Sequence, residues 1–377
     1  MRDSGPRIVV LTGGGTAGHV MPNLAISPAL KEAGFDLVYI GSHGIEENLV
    51  RSAGIKFVQI QSGKLRRYFS LENLLDLFRV FAGTVQSFFL MLRIRPVCVF
   101  SKGGFVAVPV AVGAWLARVP VVSHESDVSP GLANLIISRF ASMNLYAFPE
   151  TSRYFVGRSS RCVGIPVRPE VYSGDRGRGL ALCGWSGADA AACLPVVLFM
   201  GGSQGAKFIN DLVAESLPEL LLFCRVVHLT GHGKMEAPKF GVTQVDALSS
   251  QIRDRYKSFE FLNRELPDVM AASDLAVCRA GANSIFEMLA IKKPMILMPL
   301  EKGSRGDQIL NAASFKHQGW AEVLREADAN RDSLVSVIRN ALDSRDATVS
   351  RFPPGVASEV SGQAIIEELN AAIKGPS

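Results

Sequence analysis

The chain has 377 residues, more than one hydrophobic core usually organises, so two domains of about 150 to 200 residues each are expected. Its 48% hydrophobic and 20% charged residues exclude an intrinsically disordered protein. The net charge of +5 is concentrated in residues 1–162, where 17 Lys and Arg face 10 Asp and Glu, which indicates an anionic partner (nucleic acid or a membrane surface) or merely a solvated basic surface.

The N-terminal segment and the cysteines indicate the cellular compartment. The first strand-like run, IVVLT, begins at residue 8, and what precedes it does not have the pattern of a secretory leader. The six cysteines include no Cys-x-x-Cys pair. We therefore expect a cytoplasmic protein whose reduced thiols pack as small hydrophobes.

Apolar runs typical of buried strands alternate with helical patterns along the whole chain, and most of these runs end in a Gly, Ser or His-containing turn. This alternation predicts an α/β protein with doubly wound parallel sheets. Ligands of such sheets bind outside the carboxyl ends of the strands, so we expect the two domains to present their loops to one cleft. The runs are RIVVLT, DLVYIGS, KFVQIQ, PVCVFSKGG and PVVSHES in the first half, and PVVLFMGGS, RVVHLTG, DLAVCRAGA and PMILMPL in the second.

One predicted helix, over residues 71–95, is unusually apolar. Glu72, Asp76 and Arg79 interrupt it, which argues against a transmembrane span. Cations flank it on both sides, as expected of a helix whose apolar side chains enter a bilayer surface, although a core helix with basic ends fits equally well. The candidate membrane residues are Lys64, Arg66, Arg67, Leu75, Phe78 and Arg79.

Three glycine loops follow strands: GGGTAGH from Gly13, SKGGF from Ser101 and GGSQGA from Gly201. Such a loop exposes backbone N–H groups at a helix start, where they favour phosphate. The first and third loops repeat each other at an offset of 187 residues, which indicates two related halves. The first loop meets the dinucleotide pattern G-x-G-x-x-G only nominally, because no acidic residue follows at the required strand end, so a dehydrogenase is disfavoured.

Several side chains near these strand ends could do chemistry. His19 closes the first loop and is the best candidate for a general base, although it could merely cap the helix. Glu125 and Asp127 follow a strand, where they could assist a base or bind hydroxyls; Glu125 could equally be a buried hydrogen-bond partner for a loop. Glu287 suits the two hydroxyls of a ribose. No Asp-x-Asp and no metal-ligand spacing occurs, so we expect no metal cofactor.

We expect four segments. A first domain covers residues 1–162, and a linker with a surface insertion of no assigned function covers 163–194. A second domain covers 195–345, and residues 346–377 contain an amphipathic helix that can pack back on the first domain.

Six motifs in order, spanning nearly the whole chain, resemble the MurG family of inverting glycosyltransferases. The resemblance implies the GT-B fold of two Rossmann-like domains facing a cleft. It also implies transfer of GlcNAc from UDP-GlcNAc to a muramyl-pentapeptide linked to undecaprenyl diphosphate, at the cytoplasmic face of the cell membrane. Nucleic acid is then not expected as a partner. The motifs are GGGTAGHVMPNLAIS, SKGGFVAVPVAVGAWLARVPVVSHESDVSPGLAN, GIPVR, GGSQGAKFIN, CRAGANSIFE and DQILNA.

The resemblance also assigns residues. Catalysis falls to His19, with Asp127 and Glu125 as the other candidates for the base. The acceptor diphosphate would lie on Gly14, Gly15, Gly103 and Gly104. The donor would contact Thr16, Ala17, Gly18, Arg168, Ser203, Leu262, Ala282, Asn283, Ser284, Ile285, Phe286, Glu287 and Gln308.

The chain departs from the family pattern at three positions. Ala17 replaces a common second glycine, Ile165 stands where Asn is common, and Asp127 stands where many members have Asn. Ala tolerates positive φ poorly, and Asp127 adds charge beside phosphates. A UDP-sugar epimerase of the same fold and a non-catalytic nucleotide-sugar or lipid-binding protein are the alternatives.

Overall fold

The computed structural model contains two compact units, each built on a parallel β-sheet, and this confirms the predicted fold class. Unit 1 comprises Met1–Arg168 and Ala357–Ser377, and unit 2 comprises Pro169–Val356. The structure describes residues 7–15, 17–63, 71–185, 194–202, 205–234, 252, 254–302, 305–353 and 358–374, with the backbone alone for residues 17, 45, 71–75 and 358–361.

Unit 1 is built on a seven-stranded parallel sheet with the order β3-β2-β1-β4-β5-β6-β7. Its strands are β1 (Ile8–Thr12), β2 (Asp36–Gly41), β3 (Lys56–Gln59), β4 (Cys98–Ser101), β5 (Val121–Glu125), β6 (Met143–Tyr146) and β7 (Ser160–Cys162). Its helices are α1 (Ala17–Glu32), α2 (Ile45–Ser52), α3 (Leu71–Ile94), α4 (Ala107–Leu116), α5 (Leu132–Ile137), a 3₁₀ helix at Pro149–Tyr154, and α14 (Ser358–Lys374).

Unit 2 repeats this plan with a six-stranded sheet in the order β10-β9-β8-β11-β12-β13. Its strands are β8 (Val196–Met200), β9 (Arg225–Leu229), β10 (Tyr256–Phe259), β11 (Leu275–Cys278), β12 (Met295–Leu297) and β13 (Ala321–Val323). Its helices are α6 (Pro169–Tyr172), α7 (Arg176–Leu182), α8 (Lys207–Phe223), α9 (Leu266–Ala272), α10 (Ala282–Ala290), α11 (Asp307–His317), α12 (Arg331–Asp343) and α13 (Arg345–Ser350).

The strand order reverses at one point in each sheet. In unit 1 the first strand, β1, lies between β2 and β4, and in unit 2 β8 lies between β9 and β11. The loops after such a pair of strands diverge to opposite faces of the sheet and leave a crevice in which ligands bind. Two of the predicted glycine loops, after β1 and after β4, meet at the crevice of unit 1.

The C-terminal helix α14 belongs to the core of unit 1. Ile365 and Leu369 are fully buried in the same cluster as Val9, Leu11 and Phe100. At the rim of the helix, Arg161 Nη1 lies 2.7 Å from Glu368 Oε1. The helix therefore packs back on the N-terminal half of the chain.

The predicted linker, 163–194, differs from its expected form. The contacts divide the chain between Arg168 and Pro169, and α6 and α7 pack against α9 within unit 2. A Cβ at Gly179 would lie 2.2 Å from the carbonyl oxygen of Asp268, so glycine is what allows α7 to approach so closely. Arg178 also pairs with Asp268, at 2.7 Å. Part of the presumed insertion is thus packed structure, and residues 186–193 lie outside the described residues.

Helix α3 packs along one side and is exposed along the other. Ser87 and Met91 are buried, and a Cβ at Gly113 of α4 would lie 2.7 Å from the Cβ of Ser87. On the other side, the exposed fractions of Phe78, Phe81 and Phe89 are 65%, 67% and 62%. Helix α3 therefore has one side packed on α4 and an opposite side with exposed apolar residues.

Candidate active site

The first glycine loop, Gly13 to Gly15, turns from β1 toward α1 in a tightly packed setting. The Tyr39 hydroxyl donates to the Gly13 carbonyl, and the buried Asn23 side chain donates to Thr12 O at 3.1 Å. Gly15 has φ +88°, a conformation that side chains of L-residues rarely adopt. Side chains from α1 and β2 thereby hold the backbone of the loop at the carboxyl end of β1.

The second glycine loop follows β4 and touches the first. Lys102 N donates to Thr12 O at 2.9 Å, and Gly103 and Gly104 have φ of +80° and +82°. A Cβ at Gly104 would lie only 2.2 Å from the carbonyl oxygen of Gly14. The structure therefore brings together the four glycines predicted to hold a diphosphate, since Gly14 and Gly15 are on the adjacent loop. Consecutive N–H groups in such turns form anion-binding concavities.

His19 lies in the first turn of α1, half-buried beside the second loop. Its Nδ1 is 3.1 Å from the carbonyl oxygen of Lys102, an acceptor that requires Nδ1 to carry the proton. Neutral His19 therefore has its lone pair on Nε2. This is the tautomer that a general base needs, with its ring oriented by a backbone carbonyl.

Lys102, which the sequence analysis did not single out, connects the two groups of candidate residues. Its side chain is buried, and Nζ donates to Ser126 Oγ at 2.8 Å and to His124 Nδ1. Burial lowers the pKa of Lys102 to about 7, with Glu125 and Asp127 opposing the shift. The sequence contained an indication of this burial, because a lysine between an apolar strand and two glycines lies where its side chain has little access to solvent.

His124, next to this lysine, is neutral. Its Nε2 donates to Gly164 O at 2.8 Å, so its Nδ1 accepts from Lys102. Burial, assisted by the charge of Lys102, holds the pKa of His124 well below its usual value. His124 thus accepts from the lysine and orients its side chain.

Glu125 proves to be a structural acceptor for the loop that follows β5. Its Oε1 accepts from the N–H groups of Ser126 (2.7 Å) and Asp127 (3.0 Å), and its Oε2 from Gly131 N (3.2 Å) and Asn134 Nδ2 (2.7 Å). A buried carboxylate with four donors is committed to organising its loop. The structure favours the alternative of a buried hydrogen-bond partner over a base. Asp127, half-buried and held by that loop, stays a candidate.

In unit 2, α10 begins directly after the glycine turn that follows β11. Gly281 occupies its N-cap position without a side-chain cap. Asn283, Ser284 and Glu287 are half-buried along one side. Ala282, Ile285 and Phe286 face the core. The Phe286 ring packs edge-on against the Phe315 ring, with 5.5 Å between the ring centroids. The side chains of Ile285 and Phe286 are therefore buried, and their assignment as donor contacts stays a prediction that concerns their backbone.

Helix α11 joins two of the loops at this end of the sheet. The amide oxygen of Gln308 accepts from Leu300 N at 3.0 Å, after β12, and Asn311 Nδ2 donates to Ala280 O at 3.1 Å, after β11. Leu262 is buried in the loop after β10. Leu262 thus lies in the loop after β10, and the side chains of Gln308 and Asn311 on α11 bond to the loops after β12 and β11.

The remaining predicted residues fall in three groups. Gly18 is exposed on α1 and Arg168 is half-buried at the end of unit 1. Phe78 and Arg79 lie on α3, and Arg79 Nη1 is 3.1 Å from Asp76 Oδ1. Outside the described residues are Thr16, Ser203, Lys64, Arg66 and Arg67, together with the side chains of Ala17 and Leu75.

A metal site does not emerge from the part of the chain that the structure describes. Within it, no group of three or more His, Cys, Asp or Glu side chains could hold a metal ion. The five cysteines found there are free thiols.

Comparison with known proteins identifies relatives of both units. The model of the glycosyltransferase family 28 N-terminal domain matches residues 9–145, and that of its C-terminal domain matches residues 196–354. A Bacillus cereus protein is 48% identical over 332 residues, covering 88% of this chain and 90% of that protein. It is named "UDP-N-acetylglucosamine--N-acetylmuramyl-(pentapeptide) pyrophosphoryl-undecaprenol N-acetylglucosamine transferase 2". A Bacillus anthracis protein of the same name is 47% identical, covering 90% of this chain and 92% of that protein.

Solved structures share the fold. MurG of Acinetobacter baumannii superposes with a TM-score of 0.75 at 21% identity, covering 97% of this chain and all of that one. A putative UDP-N-acetylglucosamine 2-epimerase from Listeria monocytogenes superposes with a TM-score of 0.69 at 10% identity, covering 99% of this chain and 98% of that one. At these identities the likeness supports the fold and nothing finer.

Proposed function

Since the chain belongs to the MurG family within glycosyltransferase family 28, we propose that it transfers GlcNAc from UDP-GlcNAc to the muramyl-pentapeptide undecaprenyl-diphosphate intermediate of peptidoglycan synthesis. One observation of the structure carries the assignment. The two glycine loops touch each other at the strand-order reversal of unit 1, and this supports a site there for the diphosphate of such an acceptor.

The reaction is a single displacement. The acceptor hydroxyl attacks the anomeric carbon of GlcNAc, the bond from that carbon to the UDP oxygen breaks, and the configuration inverts. Nε2 of His19 takes the hydroxyl proton as the new bond forms. Backbone N–H groups at the start of α10 and in the loop that includes Ser203 stabilise the charge that develops on UDP, so no metal ion is required.

The donor lies on unit 2. Glu287 accepts both ribose hydroxyls, because a carboxylate offers two acceptor oxygens side by side. The backbone of Leu262 contacts the uracil, and Gln308 and the residues from Ala282 to Ser284 complete the contacts that unit 2 makes. The positions of Glu287, Leu262 and Gln308 near carboxyl ends of strands support this arrangement.

The decisive assay uses radiolabelled UDP-GlcNAc and a short-chain muramyl-pentapeptide diphosphate acceptor. We expect label in a hydrophobic product, and a chelator should leave the rate within about twofold because backbone N–H groups replace a metal ion. Release of free sugar or its 2-epimer without transfer would favour the epimerase. Donor binding without turnover would favour the non-catalytic alternative.

The protein associates with the membrane surface through α3, at the cytoplasmic face. By length and composition the stretch Asp76–Ile94 would be sufficient to cross a membrane. Its packing against α4 supports a peripheral position instead, because only one side of the helix is exposed. An epimerase has no use for such a surface. The exposed apolar side chains are Leu77, Phe78, Phe81, Val85, Phe89 and Leu92 on α3, with Trp115 and Leu116 on α4.

Replacing Phe78, Phe81 and Phe89 together by Ser should weaken binding to vesicles of mixed neutral and anionic lipid by about 100-fold, since each ring loses part of the ~1.5–3 kcal/mol available from burial. Flotation or tryptophan-quenching titrations measure this effect. The matched control is Val156→Ser with Leu222→Ser, which are exposed apolar residues elsewhere. Equal binding of the triple variant and this control would refute docking by α3. Equal binding to neutral and anionic vesicles would refute the anionic partner.

A further inference from the structure

Unit 1 contains a pocket outside the two glycine loops that no step of the reaction above uses. Its volume is about 550 Å³, within the range of ~300–1,000 Å³ typical of small-molecule sites. Ser42 lines it from the end of β2, Gln59 and Gln61 from the edge strand β3 and the residues after it, and Asp76 and Arg79 from α3. The pocket therefore lies between the carboxyl edge of the sheet and the start of α3.

The pocket adjoins the first glycine loop through two contacts. Phe105, which also lines the pocket, covers Gly15 so closely that a Cβ there would lie 2.3 Å from Cε1 of its ring. Ser42 Oγ donates to Glu46 Oε1 at 2.7 Å, and the same Oε1 lies 2.7 Å from the position of a Cβ on Gly14. The first glycine loop and the pocket thus lie on either side of the Phe105 ring and the Glu46 carboxylate, close enough for two parts of one extended ligand.

The lining of the pocket is suited to amides. The side-chain amides of Gln59 and Gln61 both donate and accept, as the peptide group does, and both residues are exposed. Arg79, 59% exposed and paired with Asp76, adds donors for a carboxylate. Seven of the nine lining residues are polar, so a polyprenyl chain would take water from polar groups without giving them a replacement partner.

These observations divide the acceptor among surfaces of unit 1. The glycine loops take the diphosphate, the sugar hydroxyl must reach His19, and the exposed side of α3 is apolar. The peptide is the part of the acceptor left without a partner. We propose that the pocket lined by Gln59, Gln61 and Arg79 binds the peptide of the muramyl-pentapeptide acceptor, an inference that rests on the proposed function.

The test combines two protein variants with two acceptors. The variant Gln59→Ala/Gln61→Ala removes exposed side chains from an edge strand and the residues after it. The control Gln363→Ala makes the same change at an exposed position of α14 in the same unit. Each is assayed with the short-chain muramyl-pentapeptide diphosphate acceptor and with the same acceptor lacking the peptide.

We expect the double variant to lower kcat/KM for the peptide-bearing acceptor by about tenfold, through KM, because two neutral hydrogen bonds are lost. With the peptide-free acceptor it should match the wild-type protein within about twofold, as should Gln363→Ala with both acceptors. Equal losses on both acceptors, or no loss on either, would overturn the proposal. Absence of transfer by the wild-type protein to either acceptor would instead refute the proposed function, so the two failures are distinguishable.

Discussion

Replacing His19 by Ala should lower kcat by about 10²- to 10⁴-fold at saturating donor and acceptor, the range typical of a lost general base. The expectation rests on the hydrogen bond from Nδ1 to Lys102 O, which places the lone pair on Nε2. Initial rates of GlcNAc transfer measure the effect. KM for UDP-GlcNAc should change much less than kcat, because the base acts chiefly in the transition state.

The matched control is His317→Ala, which removes an exposed imidazole from the last turn of α11. It should retain full activity. A loss of less than about tenfold for His19→Ala would assign the base to Asp127, since Glu125 is already engaged by four donors. His19 would then be a capping or positioning group.

Gly104→Ala should destabilise unit 1 by about 2–4 kcal/mol and raise KM for the acceptor. Positive φ contributes about 1 kcal/mol to this cost, and the rest is steric, because the new methyl group would lie 2.2 Å from Gly14 O. Relief of the clash requires the two glycine loops to separate, which would distort the proposed diphosphate site. Urea unfolding and acceptor titration measure the two effects.

Gly34→Ala provides a control with the same backbone geometry. Gly34 has φ +82°, the value at Gly104, but nothing lies within 4 Å of a Cβ there. This variant should cost about 1 kcal/mol and leave the acceptor KM unchanged. If the two variants were equally stable and equally active, the close approach of the two glycine loops would not contribute to stability or to acceptor binding.

The fold was predictable because its signal is local. Nine of the thirteen described strands lie in the predicted apolar runs, so most of the alternation of elements is readable without long-range information. The other four, β6, β7, β10 and β13, are short or carry polar residues and were not predicted. The helix pair α6 and α7 was missed for the opposite reason. Its sequence, rich in Gly and Arg, looks like a loop, and it is stabilised by the contact of Gly179 and Arg178 with Asp268, about 90 residues away.

The site was predictable in its backbone and less so in its side chains. Glycine loops after strands can be recognised by sequence, whereas the choice between base and loop partner for Glu125 depends on where four donors lie in space. Lys102 was missed because lysine is rarely buried. The orientation of Ile285 and Phe286 could have been foreseen, since apolar residues of an amphipathic helix face the core.

Unit 1 is discontinuous in the chain, and this affects the order in which the protein can fold during synthesis. Its core needs Ile365 and Leu369 of α14, yet all of Pro169–Val356 is made first. At about 5–20 residues per second, a ribosome needs on the order of 10–40 s to make that intervening stretch. Throughout this interval the apolar surface that α14 will cover stays open to chaperones or to other nascent chains, while unit 2 can finish folding. The half of the enzyme that leaves the ribosome first therefore reaches its final structure last.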